Sequence, residues 1–293
     1  MRIGALEAGG TKMVLAVGDE NGNILERASM TTRAPEETMA GIAAWFTERN
    51  IETLGIGCFG PLDLNRDSPT YGYIKATPKL AWREFDIVGC LRRALSTPGA
   101  ALPIGFDTDV NASCLGEATW GATQDVDSSI YITVGTGIGV GVMVAGELLH
   151  GLLHPEGGHI LIGRAPGDDF AGDCPYHRGL AYCLEGLASG PAIAGRYNQA
   201  AEELYERAEV WDLEAYYLAA ALVSYILVLS PKRIVLGGGV MKQERLYGLV
   251  RQQVTTLLND YMPLPDLDEY IVAPALGDDQ GIKGCIKLAL NAM

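Results

Sequence analysis

The sequence predicts an α/β protein made by duplication, two lobes flanking a cleft, and three observations carry that expectation. The order strand meander, helix, strand running into glycines, strand, helix occurs twice along the chain. Each copy has a Gly-Thr turn between its first two strands, Gly10-Thr11 in one and Gly135-Thr136 in the other. The length of 293 residues suits two cores, because single cores seldom grow past about 250–300 residues.

The elements follow from turn chemistry and apolar patterning. From Ile3 a strand enters the Gly9-Gly10-Thr11 turn, a second spans Met13–Val17, and a third spans Ile24–Ala28 after the Asp19–Asn23 turn. A helix is expected over about Glu36 to Arg49, then a buried strand through Leu54-Gly55-Ile56-Gly57. Pro103–Phe106 reads as a strand entering Asp107-Thr108-Asp109 and a helix from about Val110. The second copy begins with strands Ser129–Val134 and Val140–Val144 about Gly135-Thr136-Gly137, and a third starts at Leu148-Leu149. Asp212 reads as the N-cap of a helix to about Leu229, stopped by Ser230-Pro231 because proline cannot continue it. Arg233–Leu236 is then a buried strand ending in Gly237-Gly238-Gly239, and Tyr270–Val272 leads to a closing helix, Gln280–Leu290. Such a duplicated unit is what an actin-like, ribonuclease H-like two-lobed ATPase clamp requires. The expected lobes are 1–117, joined by the closing helix at about 280–293, and 118–279.

Composition excludes several functions. A formal charge of −14 without a Lys/Arg stripe would repel phosphate backbones, so no nucleic-acid partner is expected. No apolar run approaches the roughly 20 residues that cross a bilayer, and MRIGALEAGGTK lacks a leader pattern, so no membrane and a cytoplasmic location are expected. Cys58, Cys90, Cys114 and Cys285 stand singly among apolar residues and read as core thiols, whereas Cys174 and Cys183 flank His177.

Glu7–Lys12 and Thr133–Gly139 each place glycines between two strands, where the missing Cβ lets main-chain N–H groups approach phosphate oxygens. Either alone would be an ordinary hairpin; two at corresponding places point to phosphate. The spacing Gly135-x-Gly137-x-Gly139 leads into a strand and is no dinucleotide fingerprint, and Gly-Gly-Thr-Lys lacks the loop of a P-loop. Gly237-Gly238-Gly239 is either a plain strand-to-helix turn or a flat bed for adenine. Asp107-Thr108-Asp109-Val110-Asn111 opens like a calcium loop, but Ala112 and Ala118 occupy its essential glycine and glutamate positions. Asp109 reads either as a helix cap or as a general base at a strand end. Gly163 to Tyr182 is long and without periodicity, and Cys174, His177 and Cys183, with His159 as candidate fourth, read either as the soft tetrad that structural zinc takes or as a buried, unliganded set of thiols.

Together Glu7–Lys12, Gly57–Asp63 (GCFGPLD), Asp107–Glu117, Thr133–Gly139, Glu156–His159, Cys174–His177, Cys183–Pro191 and Leu236–Val240 resemble the ROK family of sugar kinases and related repressors. The likeness covers nearly the whole chain and is strongest to the bacterial fructokinase branch, where Cys-Pro-Tyr-His replaces the Cys-x-Cys-Gly motif of glucokinases. The resemblance implies that Asp109 is the catalytic base on the sugar hydroxyl and that Asn111, Glu156, His159 and Glu185, with Gly60 and Pro61, bind the sugar. It implies phosphate contacts from Gly9, Gly10, Thr11, Lys12, Thr133, Gly135, Thr136 and Gly137, and adenosine contacts from Gly238 and Gly239. It also implies Mg²⁺ on ATP, structural Zn²⁺ held by His159, Cys174, His177 and Cys183, and a homodimer. His159 would face sugar with one ring nitrogen and metal with the other.

The expected function is therefore ATP-dependent phosphorylation of a free hexose, fructose to fructose 6-phosphate first, with mannose, glucose or N-acetylmannosamine as alternatives. A sugar-sensing ROK repressor would need a helix-turn-helix ahead of the first hairpin, and only six residues precede Glu7. A non-catalytic actin-like module would keep the hairpins without the sugar cluster.

Overall fold

In a computed structural model the described residues are 1–77, 79–177 and 182–293, so the 163–182 stretch is described except for its residues 178–181. Strands β1 (Ile3–Ala8), β2 (Lys12–Gly18), β3 (Ile24–Thr31) and β4 (Thr53–Cys58) precede a small β5/β6 hairpin (Tyr73–Ile74, Phe85–Asp86) and β7 (Ile104–Thr108). The second copy supplies β8 (Ser129–Val134), β9 (Ile138–Val144), β10 (Glu147–Leu148), β11 (Arg233–Gly237) and β12 (Ile271–Val272). Each copy makes a five-stranded sheet, β3-β2-β1-β4-β7 and β10-β9-β8-β11-β12, antiparallel through the meander and parallel beyond it. The duplication read from the glycine turns is thus a duplication of strand order.

Helix α1 (Pro35–Thr47) packs with α2 (Ile87–Leu95) around a first core of Leu6, Phe46, Ile56 and Trp82. Helices α3 (Asp109–Trp120) and α9 (Gln280–Asn291) lie against each other, and α9 also packs on β1, β4 and β7. A cluster of Ile3, Val14, Leu115, Tyr131, Val235 and Ile286 joins residues of both sheets to these two helices. Their approach is close because Gly284 has no side chain: a Cβ there would lie 1.7 Å from the Ala112 carbonyl oxygen. Glu117, fully buried at the end of α3, accepts from the amides of Ala122, Ala275 and Leu276, so one carboxylate ties this helix to the segment that precedes α9.

The remaining helices are α4 (Leu184–Ala188), α5 (Gly190–Tyr197), α6 (Ala208–Leu229), α7 (Arg245–Leu258) and α8 (Leu267–Tyr270). Asp212 is not the N-cap of α6, which begins four residues earlier at Ala208. Buried Val210 and Trp211 extend the helix backward, and the Trp211 indole N–H donates to the Leu204 and Tyr205 carbonyls. By composition α6 is long and apolar enough to cross a membrane, against the expectation from apolar runs. Half of its most apolar window is buried, with Trp211, Leu218, Leu222 and Ile226 in the core of the second sheet, which is the environment of a core helix. Cys90 is only partly buried, unlike Cys58, Cys114 and Cys285.

Candidate active site

Register brings the candidate residues to common sheet edges. Ala8 pairs with Cys58 and Cys58 with Thr108, so the Gly9–Lys12 turn, Phe59-Gly60-Pro61 and Asp109 all leave the first sheet at one end. Gly237 pairs with Thr133, which puts Gly238-Gly239 beside the Gly135–Gly137 turn at the matching end of the second. Ligands of α/β proteins collect at such carboxyl ends.

Between the sheets lies a cleft of about 680 Å³ lined by Gly60, Pro61, Asp109, Thr133, Gly135–Gly137, Glu156, His159 and Glu185, together with Thr108, His154, Tyr176 and His177. A second cavity of about 660 Å³ shares Gly135 and Thr136 with it and continues past Pro191, Ala194, Tyr205, Gly239 and Gln243. The two volumes, nearly equal in size, meet at the second glycine hairpin.

Thr108, not Asp109, caps α3: its hydroxyl accepts from the Asn111 amide at 3.1 Å. Asp109 is the first residue of the helix, with one carboxylate oxygen on the Val110 amide at 2.9 Å and, among the described residues, no partner for the other. Burial raises its pKa above the ordinary aspartate range. Glu156 is raised to about 7, first by burial and then by the neighbouring charges of Glu185 and Asp109. Burial, followed by Asp109, lifts Glu7 to about 7 as well. Glu156 and Glu7 thus hold protons near neutrality, and Asp109 is shifted in the same direction.

Glu185, in the first turn of α4, accepts the Ile138 amide at 2.9 Å and stands 3.9 Å from His159 Nε2. The turn carrying His159 is held from behind by the Tyr225 hydroxyl, which donates to the Gly157 carbonyl at 2.7 Å. His159 Nδ1 faces the other way, 3.8 Å from each of Cys174 Sγ and Cys183 Sγ, and His177 Nδ1 is 3.5 Å from Cys174 Sγ. All four donor atoms lie within 4.8 Å of one another. Zn–S and Zn–N bonds of about 2.3 and 2.0–2.1 Å at tetrahedral angles separate ligands by about 3.3–3.8 Å, so this donor set fits zinc in chemistry, and the three sulfur–nitrogen separations given above are close to that spacing.

Two groups of expected site residues stand elsewhere. Asn111 is 1% exposed, does not line the cleft, and gives its amide to Asp107 at 2.7 Å. The side of the helix start that faces the cleft presents Thr108 and Asp109 instead, and the i, i+2 spacing from Asp109 points Asn111 off that face. Gly9, Gly10, Thr11 and Lys12 are likewise outside the cleft lining; Thr11 and Lys12 are exposed, and the turn is fixed by the Gly9 amide on the Lys12 carbonyl and by Thr32 Oγ1 on the Gly9 carbonyl. Gly238 lines neither cavity, whereas its neighbour Gly239 lines the second. Gly238 has φ +92°, and a Cβ would lie 2.4 Å from the Val134 carbonyl oxygen. Gly238→Ala is therefore expected to cost about 2–3 kcal/mol through strain and clash. A thermal melt together with KM for ATP checks this, and a variant with wild-type values of both would contradict it.

The ROK family profile matches residues 3–292, and the chain belongs to the ROK family, whose members share this actin-like two-lobed fold. It is 42% identical over 293 residues to a fructokinase of Pediococcus pentosaceus, covering 100% of this chain and 99% of that protein. It is 44% identical over 281 residues to a fructokinase of Streptococcus mutans, covering 94% and 92%. A ROK hexokinase from Thermus thermophilus superposes with TM-score 0.79 at 28% identity, covering 99% of this chain and 98% of that one.

Proposed function

We propose that this chain is an ATP-dependent fructokinase that makes fructose 6-phosphate, with Asp109 as general base. The observation that carries the reading is a single cleft holding Asp109, Glu156, His159 and Glu185 beside a glycine hairpin that opens onto a second cavity of similar volume. The full-length likeness to fructokinases supports the choice of sugar and disfavours a regulator.

In this mechanism MgATP lies across the Gly135–Gly137 turn with adenosine against Gly239, and the Gly9–Lys12 turn closes on the phosphates from the first lobe. Glu156, Glu185, His159 and the Gly60-Pro61 turn orient the sugar. The unpartnered oxygen of Asp109 takes the 6-hydroxyl proton as the sugar O6 attacks the γ-phosphorus and the bond from that phosphorus to the bridging β-phosphate oxygen breaks, releasing ADP, so catalysis is mostly placement and charge stabilisation. Structural zinc would be held by His159, Cys174, His177 and Cys183, ordering the 163–182 loop and the orientation of His159 without entering the reaction. We take 1–117 with the closing helix as one lobe and 118–279 as the other. In the same reading the enzyme is a cytoplasmic homodimer with neither membrane nor nucleic-acid partners.

Hexoses differ in hydroxyl placement, and discrimination is strong where a buried partner would be left unpaired. Comparing kcat/KM for fructose, mannose, glucose and N-acetylmannosamine tests the assignment. Fructose is expected to lead, and a clear preference for another sugar would replace the substrate while leaving the kinase chemistry standing.

A further inference from the structure

His154 stands on the segment between β10 and the turn that carries His159, and the sequence reading gave it no role. Its side chain is 3% exposed, although it borders the sugar side of the cleft. Nε2 accepts the backbone N–H of Leu62 at 3.0 Å, a bond from the second copy of the unit to the first. An amide can only donate, so Nε2 carries no proton, and in the neutral ring the proton sits on Nδ1. That nitrogen faces the Glu156 carboxylate at 3.6 Å and the Pro155 carbonyl at 3.5 Å. The ring also lies under Gly60, where a Cβ would come 3.2 Å from Cε1. The same segment is anchored once more at its other end, where His150 Nε2 meets Asp107 at 2.8 Å beside the start of α3.

We infer that His154 is a positioning residue for the hexose, a neutral Nδ1–H imidazole that pins the Gly60–Leu62 turn of one lobe to the Glu156 segment of the other. The proposal rests on the hexokinase reading of the cleft. Both walls that the pin joins face sugar rather than nucleotide: Gly60, Pro61 and Glu156 line the first cavity and are absent from the second. With the pin removed, the Leu62 N–H loses its acceptor and Glu156 loses the ring that backs it, so the sugar-facing walls drift apart while the nucleoside cavity keeps its shape.

Two measurements decide this. Long-range ¹H–¹⁵N correlation on the imidazole resonance that disappears in His154→Gln is expected to show the Nδ1–H tautomer without any ligand; an Nε2–H tautomer or an imidazolium at pH 7.5 would overturn the pin. Calorimetric titration of fructose and, separately, of ATP into wild type, His154→Leu and His154→Gln gives the second test. Fructose affinity should fall roughly tenfold in His154→Leu, the scale of one buried hydrogen bond lost, with ATP affinity within about twofold of wild type. His154→Gln, whose amide oxygen can accept the Leu62 N–H, should recover part of the loss. Unchanged fructose affinity in the leucine variant, or equal weakening of both ligands, refutes the proposal. A wild-type protein that binds no hexose refutes the reading of the cleft instead, and the tautomer then decides the pin by itself.

Discussion

Asp109→Asn is expected to lower kcat with fructose by about 10²–10⁴-fold, the scale of a lost general base, while ATP affinity and thermal stability stay near wild type. The amide keeps the side chain's shape and can still accept the Val110 N–H through its oxygen, so the fold loses little. Asp107 is the natural comparison, two residues away at the same strand end. Its oxygens are taken by the Thr108 amide, the Asn111 side chain and His150, and it is buried on the far side of the helix start from the cleft. Asp107→Asn should therefore act on folding and alignment more than on proton transfer. If Asp109→Asn turns over normally, the base is another group. The pH profile of the wild type carries the same logic. A base must be ionised to accept a proton, and burial raises Asp109, so kcat/KM falls on the acid side at a pH above the ordinary aspartate range. Glu156 and Glu7 take up protons at about 7, which adds to the fall below neutrality.

Removing the metal is expected to have the second large effect. One zinc per chain should be found by elemental analysis, and strong chelation or Cys174→Ala should release it. The described part of the 163–182 stretch has no regular secondary structure, and residues from it reach the core at few points, among them Ala165, whose amide is held by the Tyr217 hydroxyl. Cys183 also caps α4, its sulfur accepting the Gly186 amide at 3.4 Å, and Glu185 stands in that helix. If the tetrad holds the proposed zinc, its loss would release His159 and unsettle Glu185 together. Fructose KM should rise about 10–100-fold, as disturbance around a metal site commonly does, and proteolysis in the 163–182 stretch should quicken. Metal-free protein with full activity and an unchanged digestion pattern would exclude a zinc staple.

The two glycine hairpins, the strands leading into them and the grouping of four Cys/His donors were legible because each rests on local chemistry. Turns need residues that tolerate their backbone angles, strands alternate or stay apolar over a few positions, and Cys/His sets declare themselves by type. The duplicated order followed from these signals, and with it the shared strand order of the two sheets. Helices α2, α4, α5, α7 and α8 escaped notice, and the start of α6 was misplaced, because Trp211 is made helical by its tertiary packing and Asp212 is a good cap only in isolation.

Whether a side chain near the catalytic strand end faces the cleft was not a local matter. Asn111 and Asp109 are both polar and two positions apart, yet the helix turns one toward Asp107 and leaves the other at the cleft. Nothing local in the sequence singled out His154; only the tertiary packing placed Leu62 against it, 92 residues away in the chain. Sequence by itself determined which elements form and which chemistry each can offer, since those depend on neighbours within a turn or two. The tertiary structure alone decided which groups meet, because α3 and α9 set the spacing between the sheets, and that spacing is a sum of contacts over residues far apart in the chain.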